Sequence, residues 1–309
     1  MTLSLIHITN YRASIAELPT PHAEAKLIAL WLDGKAQSSV RAYQRYTKHF
    51  LQFLGKPLKL VTYEDLVEYA TQFTDKAENT RRMYLAAIKS LISFAHKIGY
   101  IPFNVGMALK LGDMPDAINE RYLDEADVKL MIRMAEKQLE KASTPKRQYI
   151  AKRNLLIIKL LYQAGLRAAE LCQLTWGDLS TRGNSGQVYV RQGKGNKSRT
   201  ILLKDKLWAE LMEFRGSASA IDAVFPSQKG GHLDRQNLHP IVKSIAAYAG
   251  LSEKVSTHWL RHAHGTHAIE RGTNPVLVKD TLGHSNISVT DRYLRARPND
   301  SSALRLMDV

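Results

Sequence analysis

The sequence predicts a mainly α-helical protein with one small antiparallel β-sheet, divided into two domains. Three observations predict this class. Apolar residues recur at helical spacing through most of the chain. Two short strand-like runs flank a glycine-rich turn in the second half. A polar stretch with Gly and Pro interrupts the helical pattern near residue 110. The length of 309 residues suits two domains.

Residues 1–19 carry no clear periodicity and read as an N-terminal extension. His22 to Gly34 places Ala25, Ile28, Ala29 and Leu32 on one helical face. Ser38 or Ser39 is the expected N-cap of a second helix, with Val40, Tyr43, Tyr46, Phe50 and Phe53 along its face. Gly55-Lys56-Pro57 closes that helix. Thr62-Tyr63-Glu64-Asp65 opens a third, because a hydroxyl cap followed by acids suits a helix N-terminus. The fourth runs from about Glu78 to Lys97, with Tyr84, Ile88, Leu91 and Phe94 as core positions and Arg81, Arg82 and Lys89 on another face.

Residues 20–110 thus read as a compact helical domain with basic helix faces, 111–120 as a linker, and 121–309 as a second domain. In that second domain the charged stretch Glu136 to Arg153 contains Ser143-Thr144-Pro145, which predicts an exposed loop. Asn154 to Ala164 is an apolar helix. Residues 187–191 and 198–203 form the expected strands around Gln192-Gly193-Lys194-Gly195-Asn196-Lys197. There is no internal repeat and no low-complexity tract.

The charge balance is unusual. Lys and Arg number 44 against 29 Asp and Glu, a formal +15, and the sequence pI is about 9.8. Such a surface suits a polyanionic partner, although charge alone also fits a basic surface with no such partner. The single cysteine, Cys172, excludes an intrachain disulfide and fits a reducing compartment. The first residues lack a basic, apolar leader pattern, and no run approaches ~18 consecutive apolar residues. The expectation is a cytoplasmic protein with no membrane association.

Four segments could carry chemistry. In Gly165-Leu166-Arg167-Ala168-Ala169-Glu170-Leu171 the Arg and Glu are three apart and share a helix face, with Gly165 free to end the preceding helix. An exposed intrahelical ion pair is the commoner use of such a spacing. The turn region carries Arg191, Lys194, Lys197 and Arg199, suited to a nucleic-acid groove or equally to a solvated loop. Thr257 to His264 places His258, Arg261 and His262 on one helix face. The two histidines stand four apart, as zinc ligands do, but no acidic cluster or cysteine pair lies nearby to complete a metal site. The fourth segment, Leu282-Gly283-His284-Ser285-Asn286, precedes Asp291-Arg292-Tyr293.

In order, these segments resemble the tyrosine recombinase (phage integrase) family, and its Xer-like members in particular. The chain reads GLRAAEL, GKGNKSR, HWLRH, LGHS and DRYL where that family carries GLRxxEL, GKGNK, HxLRH, LGH and the tyrosine. The resemblance implies a helical core-binding domain over 20–110 and an α+β catalytic domain over 121–309 with a C-terminal interaction tail. It departs at Ala263 and His264, where the family often has serine and phenylalanine.

The resemblance also implies roles. Phosphoryl transfer builds charge on the equatorial oxygens, which paired guanidinium donors can hold; Arg167 and Arg261 match those positions. Tyr293 matches the nucleophile, His258 the general base, and Lys194 the general acid, with Lys197 as the alternative. His284 would donate to the phosphate, and Glu170 would orient the cluster. Arg191, Lys197, Arg199, Arg81, Arg82 and Lys89 are the expected DNA contacts. No cofactor and no metal is implied. The expected partners are double-stranded DNA with specific sites and a homotetramer on two such sites, with or without a second recombinase or accessory protein.

Two other classes compete. A catalytically silent DNA-binding accessory protein would tolerate loss of Tyr293. A metal-dependent nuclease would need clustered carboxylates, and none stand out. Within the recombinase class, about 20 residues before the first helix are too few for an arm-binding domain, and 199–258 shows no added module. Resolution of DNA multimers is therefore the expected use, with mobile-element or phage integration as the alternative. Ala303, Leu304, Leu306 and Met307 form an apolar patch, which the resemblance implies packs on a neighbouring subunit, with a tail folded back on its own domain as the alternative.

Overall fold

A computed structural model describes residues 20–112, 123–191 and 198–283. The chain divides into two compact units, Met1–Asp116 and Ala117–Val309. Its described part is mainly helical, with one three-stranded antiparallel sheet in the second unit. Among the described residues no helix is long and apolar enough to cross a membrane.

The first unit holds α1 (Thr20–Leu32), α2 (Gln37–Leu54), α3 (Tyr63–Thr71) and α4 (Glu78–Lys97). Its core joins Leu27, Phe50, Leu66, Tyr69, Ile88 and Leu91. Tyr69 lies at the centre: Phe50 and Phe73 meet its ring edge-on, and its hydroxyl pairs with His49 Nδ1 at 3.0 Å. Thr62 caps α3 in a reciprocal pairing with Asp65, as its sequence predicts. The serine cap expected for α2 does not form. Ala36 occupies the N-cap without a side-chain bond, so Ser38 and Ser39 fall inside the first turn. Tyr84 and Phe94, expected as core positions of α4, are only partly buried against that core.

The second unit begins with α5 (Glu125–Glu140) and α6 (Pro145–Ala164). Only 141–144 separates them, a short exposed connection inside the charged stretch where a loop was expected. Thr144 accepts the Arg147 N–H and Pro145 sits at the first helical position, where its missing N–H costs nothing. Helix α6 is the central element, with Leu155 through Leu161 buried in a continuous run. Lys159 within that run reaches Glu210 and Glu136, so its buried nitrogen has carboxylate partners.

After α7 (Ala168–Gln173) come β1 (Leu179–Arg182), β2 (Ser185–Val190) and β3 (Arg199–Leu203) in a meander. The expected two strands are thus three. Strand β1 escapes a pattern search because LSTR buries only its leucine. The sheet packs on α8 (Asp205–Arg215) through Gly186, where any Cβ would stand 2.1 Å from Trp208 Cε3. Helices α9 (Arg235–Tyr248), α10 (Thr257–Glu270) and α11 (Pro275–Leu282) complete the unit.

Candidate active site

Gly165 ends α6 in the left-handed conformation, at φ 59°, and frees the chain to turn into α7. The sequence reading of this break is met. Arg167 becomes the N-cap residue of α7, and Glu170 accepts its backbone N–H at 2.8 Å. The same carboxylate accepts Arg167 Nη1 at 2.7 Å. This pair is not the exposed ion pair that its spacing alone would suggest, because the Glu170 side chain is only 5% exposed.

Glu170 has a second cation. Arg199 donates Nη1 to Oε1 at 2.9 Å and Nη2 to Oε2 at 2.7 Å, a two-pronged pairing. Burial alone would raise the Glu170 carboxyl. The Arg199 side chain, then the Arg167 backbone N–H and side chain, outweigh it and bring the group down to about 2. Glu170 is therefore an anion at neutral pH.

Helix α11 starts with Asn274 capping and Pro275 at its first position, and it ends at Gly283 in the left-handed conformation. Its last carbonyls have no helical partners of their own. Three arginines from three different elements supply donors there. Arg199 Nε donates to Thr281 O at 2.7 Å. Arg261, from α10, donates to Leu282 O. Arg167 Nη2 donates to Gly283 O at 2.7 Å. Arg261 also donates to Gly165 O, so one guanidinium bridges the end of α6 and the end of α11 while only 3% exposed. Cations at a helix C-terminus also complement its dipole.

Helix α10 places His258 one turn before Arg261. His258 is exposed, and its Nε2 lies 2.7 Å from His262 Nε2. Among the described residues no group of three potential metal ligands accompanies that pair. His264 packs against Gly165 and donates Nδ1–H to Tyr162 O at 2.8 Å. Burial lowers its basicity below the usual histidine range, so it stays neutral.

The expected DNA-contacting cations divide. Arg191 is 64% exposed and pairs with the buried Asp178. Arg199 is not exposed. Strand alternation puts it on the face of Ile201 and Leu203, so it turns inward and its side chain is 9% exposed. In the first unit Arg82 donates to Leu111 O and Gly112 O, Lys89 donates to Met107 O and Leu109 O, and Arg81 pairs with Glu78. Arg82 and Lys89 thus tie down the segment that follows α4. Lys194, Lys197, His284 and Tyr293 lie outside the described residues.

The arrangement therefore gathers three guanidiniums at the end of α11, two of them, Arg167 and Arg199, sharing the Glu170 carboxylate, which leaves a fixed excess of positive charge. A phage integrase family model matches residues 121–300, 180 of the 309, and a model of the phage integrase N-terminal SAM-like domain matches 27–99. The chain belongs to the phage integrase family. This phage integrase family member is 29% identical to the tyrosine recombinase XerD of Vibrio cholerae over 285 residues, covering 87% of this chain and 90% of the relative. It is also 29% identical to XerD of Pseudomonas aeruginosa over 306 residues, 94% of this chain and 98% of the relative. Among solved structures, lambda integrase bound to a core site matches with TM-score 0.69 at 17% identity, over 93% of this chain and 97% of the other. The XerH recombinase bound to a palindromic difH substrate matches with TM-score 0.68 at 21% identity, over 94% and 92%. These two likenesses concern the fold.

Proposed function

We propose that this tyrosine recombinase opens one strand of a specific DNA duplex through Tyr293. The tyrosine oxygen attacks the scissile phosphorus and its proton passes to His258. The bond from phosphorus to the 5′ oxygen breaks, and Lys194, or Lys197 in its place, protonates that oxygen. The products are a 3′-phosphotyrosyl link and a 5′ hydroxyl. Because the phosphoester is conserved, the reverse attack by a 5′ hydroxyl from a second duplex rejoins strands with no added energy source. Two such rounds, through a Holliday junction in a homotetramer on two sites, exchange the duplexes. Arg167, Arg261 and His284 would hold the phosphate oxygens, and Glu170 would fix Arg167.

One observation carries the reading. Arg167, held by Glu170 at the start of α7, and Arg261 of α10 converge on the carbonyls of Gly283 and Leu282, directly before His284 in the chain. The test is a nicked suicide duplex carrying the native site, incubated with protein in EDTA. We expect a denaturant-resistant protein–DNA adduct with the natural chain and none with Tyr293→Phe. Binding with no adduct under any condition, including with a second recombinase supplied, would favour the accessory-protein class instead.

We further propose that the reaction takes place in the cytoplasm and resolves chromosome, plasmid or cointegrate multimers. Similarity to XerD along most of both chains supports this use. A plasmid with two direct repeats of the site should lose the intervening segment. Efficient joining of two separate plasmids with little excision would favour integration.

A further inference from the structure

We infer that Arg199 is a positioning residue, tying the start of β3 to the Arg167–Glu170 pair and to the end of α11. The inference rests on the recombinase reading above. Its basis is that one buried guanidinium joins three of the four sequence segments that carry the chemistry.

Every nitrogen of the Arg199 guanidinium has a protein acceptor: Thr281 O for Nε, and the two Glu170 oxygens for Nη1 and Nη2. The group is also closed in sterically. A Cβ on Gly283 would stand 3.0 Å from Arg199 Nη1. Arg199 is therefore poorly placed to hold a phosphate itself. It opens β3, two residues after Lys197 and five after Lys194 in the sequence, so it fixes the described chain nearest to both lysines on that side. Arg191, the last described residue before 192–197, pairs with Asp178. Only an arginine can occupy both carboxylate oxygens and a carbonyl at once, because its five N–H groups are held in one plane. Without it, Glu170 keeps only the Arg167 side chain among these cations, and Thr281 O loses its side-chain donor.

The test compares Arg199→Gln and Arg199→Lys with the natural chain, measuring DNA affinity, its salt dependence, and single-turnover cleavage of the suicide duplex. A positioning residue predicts affinity within about 2-fold, an unchanged salt slope, and cleavage slowed by about 10–100-fold in Arg199→Gln. Arg199→Lys should recover part of the loss, and it keeps the test alive if Arg199→Gln does not fold. The effect of Arg199→Gln should also shrink in a Glu170→Gln background, since both act through one contact. Unchanged cleavage in either variant would overturn the inference. Weaker binding with a salt slope reduced by about 1 would also overturn it, by making Arg199 a phosphate contact. An absent adduct with the natural chain would overturn the recombinase reading and this inference with it.

Discussion

Arginine and lysine carry the same charge but not the same geometry, and Arg261 shows the difference. Its two terminal nitrogens bridge Gly165 O and Leu282 O, which belong to different helix ends. A lysine ammonium cannot reproduce that fork. Arg261→Lys should bind DNA nearly as well while its single-turnover cleavage falls by about 10²-fold or more; equal cleavage would show that charge alone suffices. Glu170 gives a stability prediction. Its carboxyl is held at about 2, below its ordinary 4.5, so its contribution is complete above about 4.5 and is lost as pH falls towards 2. Glu170→Gln should cost about 3 kcal/mol at pH 7, and urea unfolding should show that gap narrowing as pH is lowered through 4. Much at this scale was legible. Arg167, Glu170 and Arg261 stand out by type and spacing. Arg199 was legible too, because Arg199, Ile201 and Leu203 alternate onto one face, but the basic turn beside it suggested the opposite. Their carbonyl partners leave no mark in a sequence, since every residue has one.

The helix ends, more than the helix interiors, shape this site. Gly165 must take a positive φ, and a Cβ there would come 2.7 Å from Leu282 Cδ2 and 3.0 Å from His264 Cδ2. Gly183, in the β1–β2 turn, has a nearly equal φ of 60° with nothing within 4 Å. The pair separates backbone cost from crowding. Gly183→Ala should cost about 1 kcal/mol, and Gly165→Ala about 2–4 kcal/mol with a matching drop in cleavage. Equal melting shifts for the two would show that the end of α11 moves aside freely. The element boundaries follow the same logic. The Thr62 cap and the Gly165 break were readable because each has a residue type suited to its backbone. The start of α2 at Gln37 was not, because Ala36 caps without a side-chain bond and two serines nearby offered a better-looking start. Strand β1 was missed because its pairing with β2, from Leu179 opposite Val188 to Arg182 opposite Ser185, supplies the order that its own residues do not.

Over the whole molecule the formal +15 and the buried arginine cluster should act on different steps. Exposed Lys and Arg displace counterions from DNA, so with on the order of 6–10 phosphates neutralised, affinity should fall by about 10³–10⁵-fold between 50 and 200 mM salt. The guanidiniums of Arg199 and Arg261 are buried, and mobile ions screen buried charge far less. Once protein saturates the DNA, the single-turnover cleavage rate should therefore change by less than about 3-fold over that same salt range. Titrating salt under subsaturating and saturating conditions separates the two quantities. A cleavage rate that falls in step with affinity at saturation would mean that solvent ions reach the arginines. The carbonyl and carboxylate contacts that organise the cluster would then have to open before the phosphate is engaged.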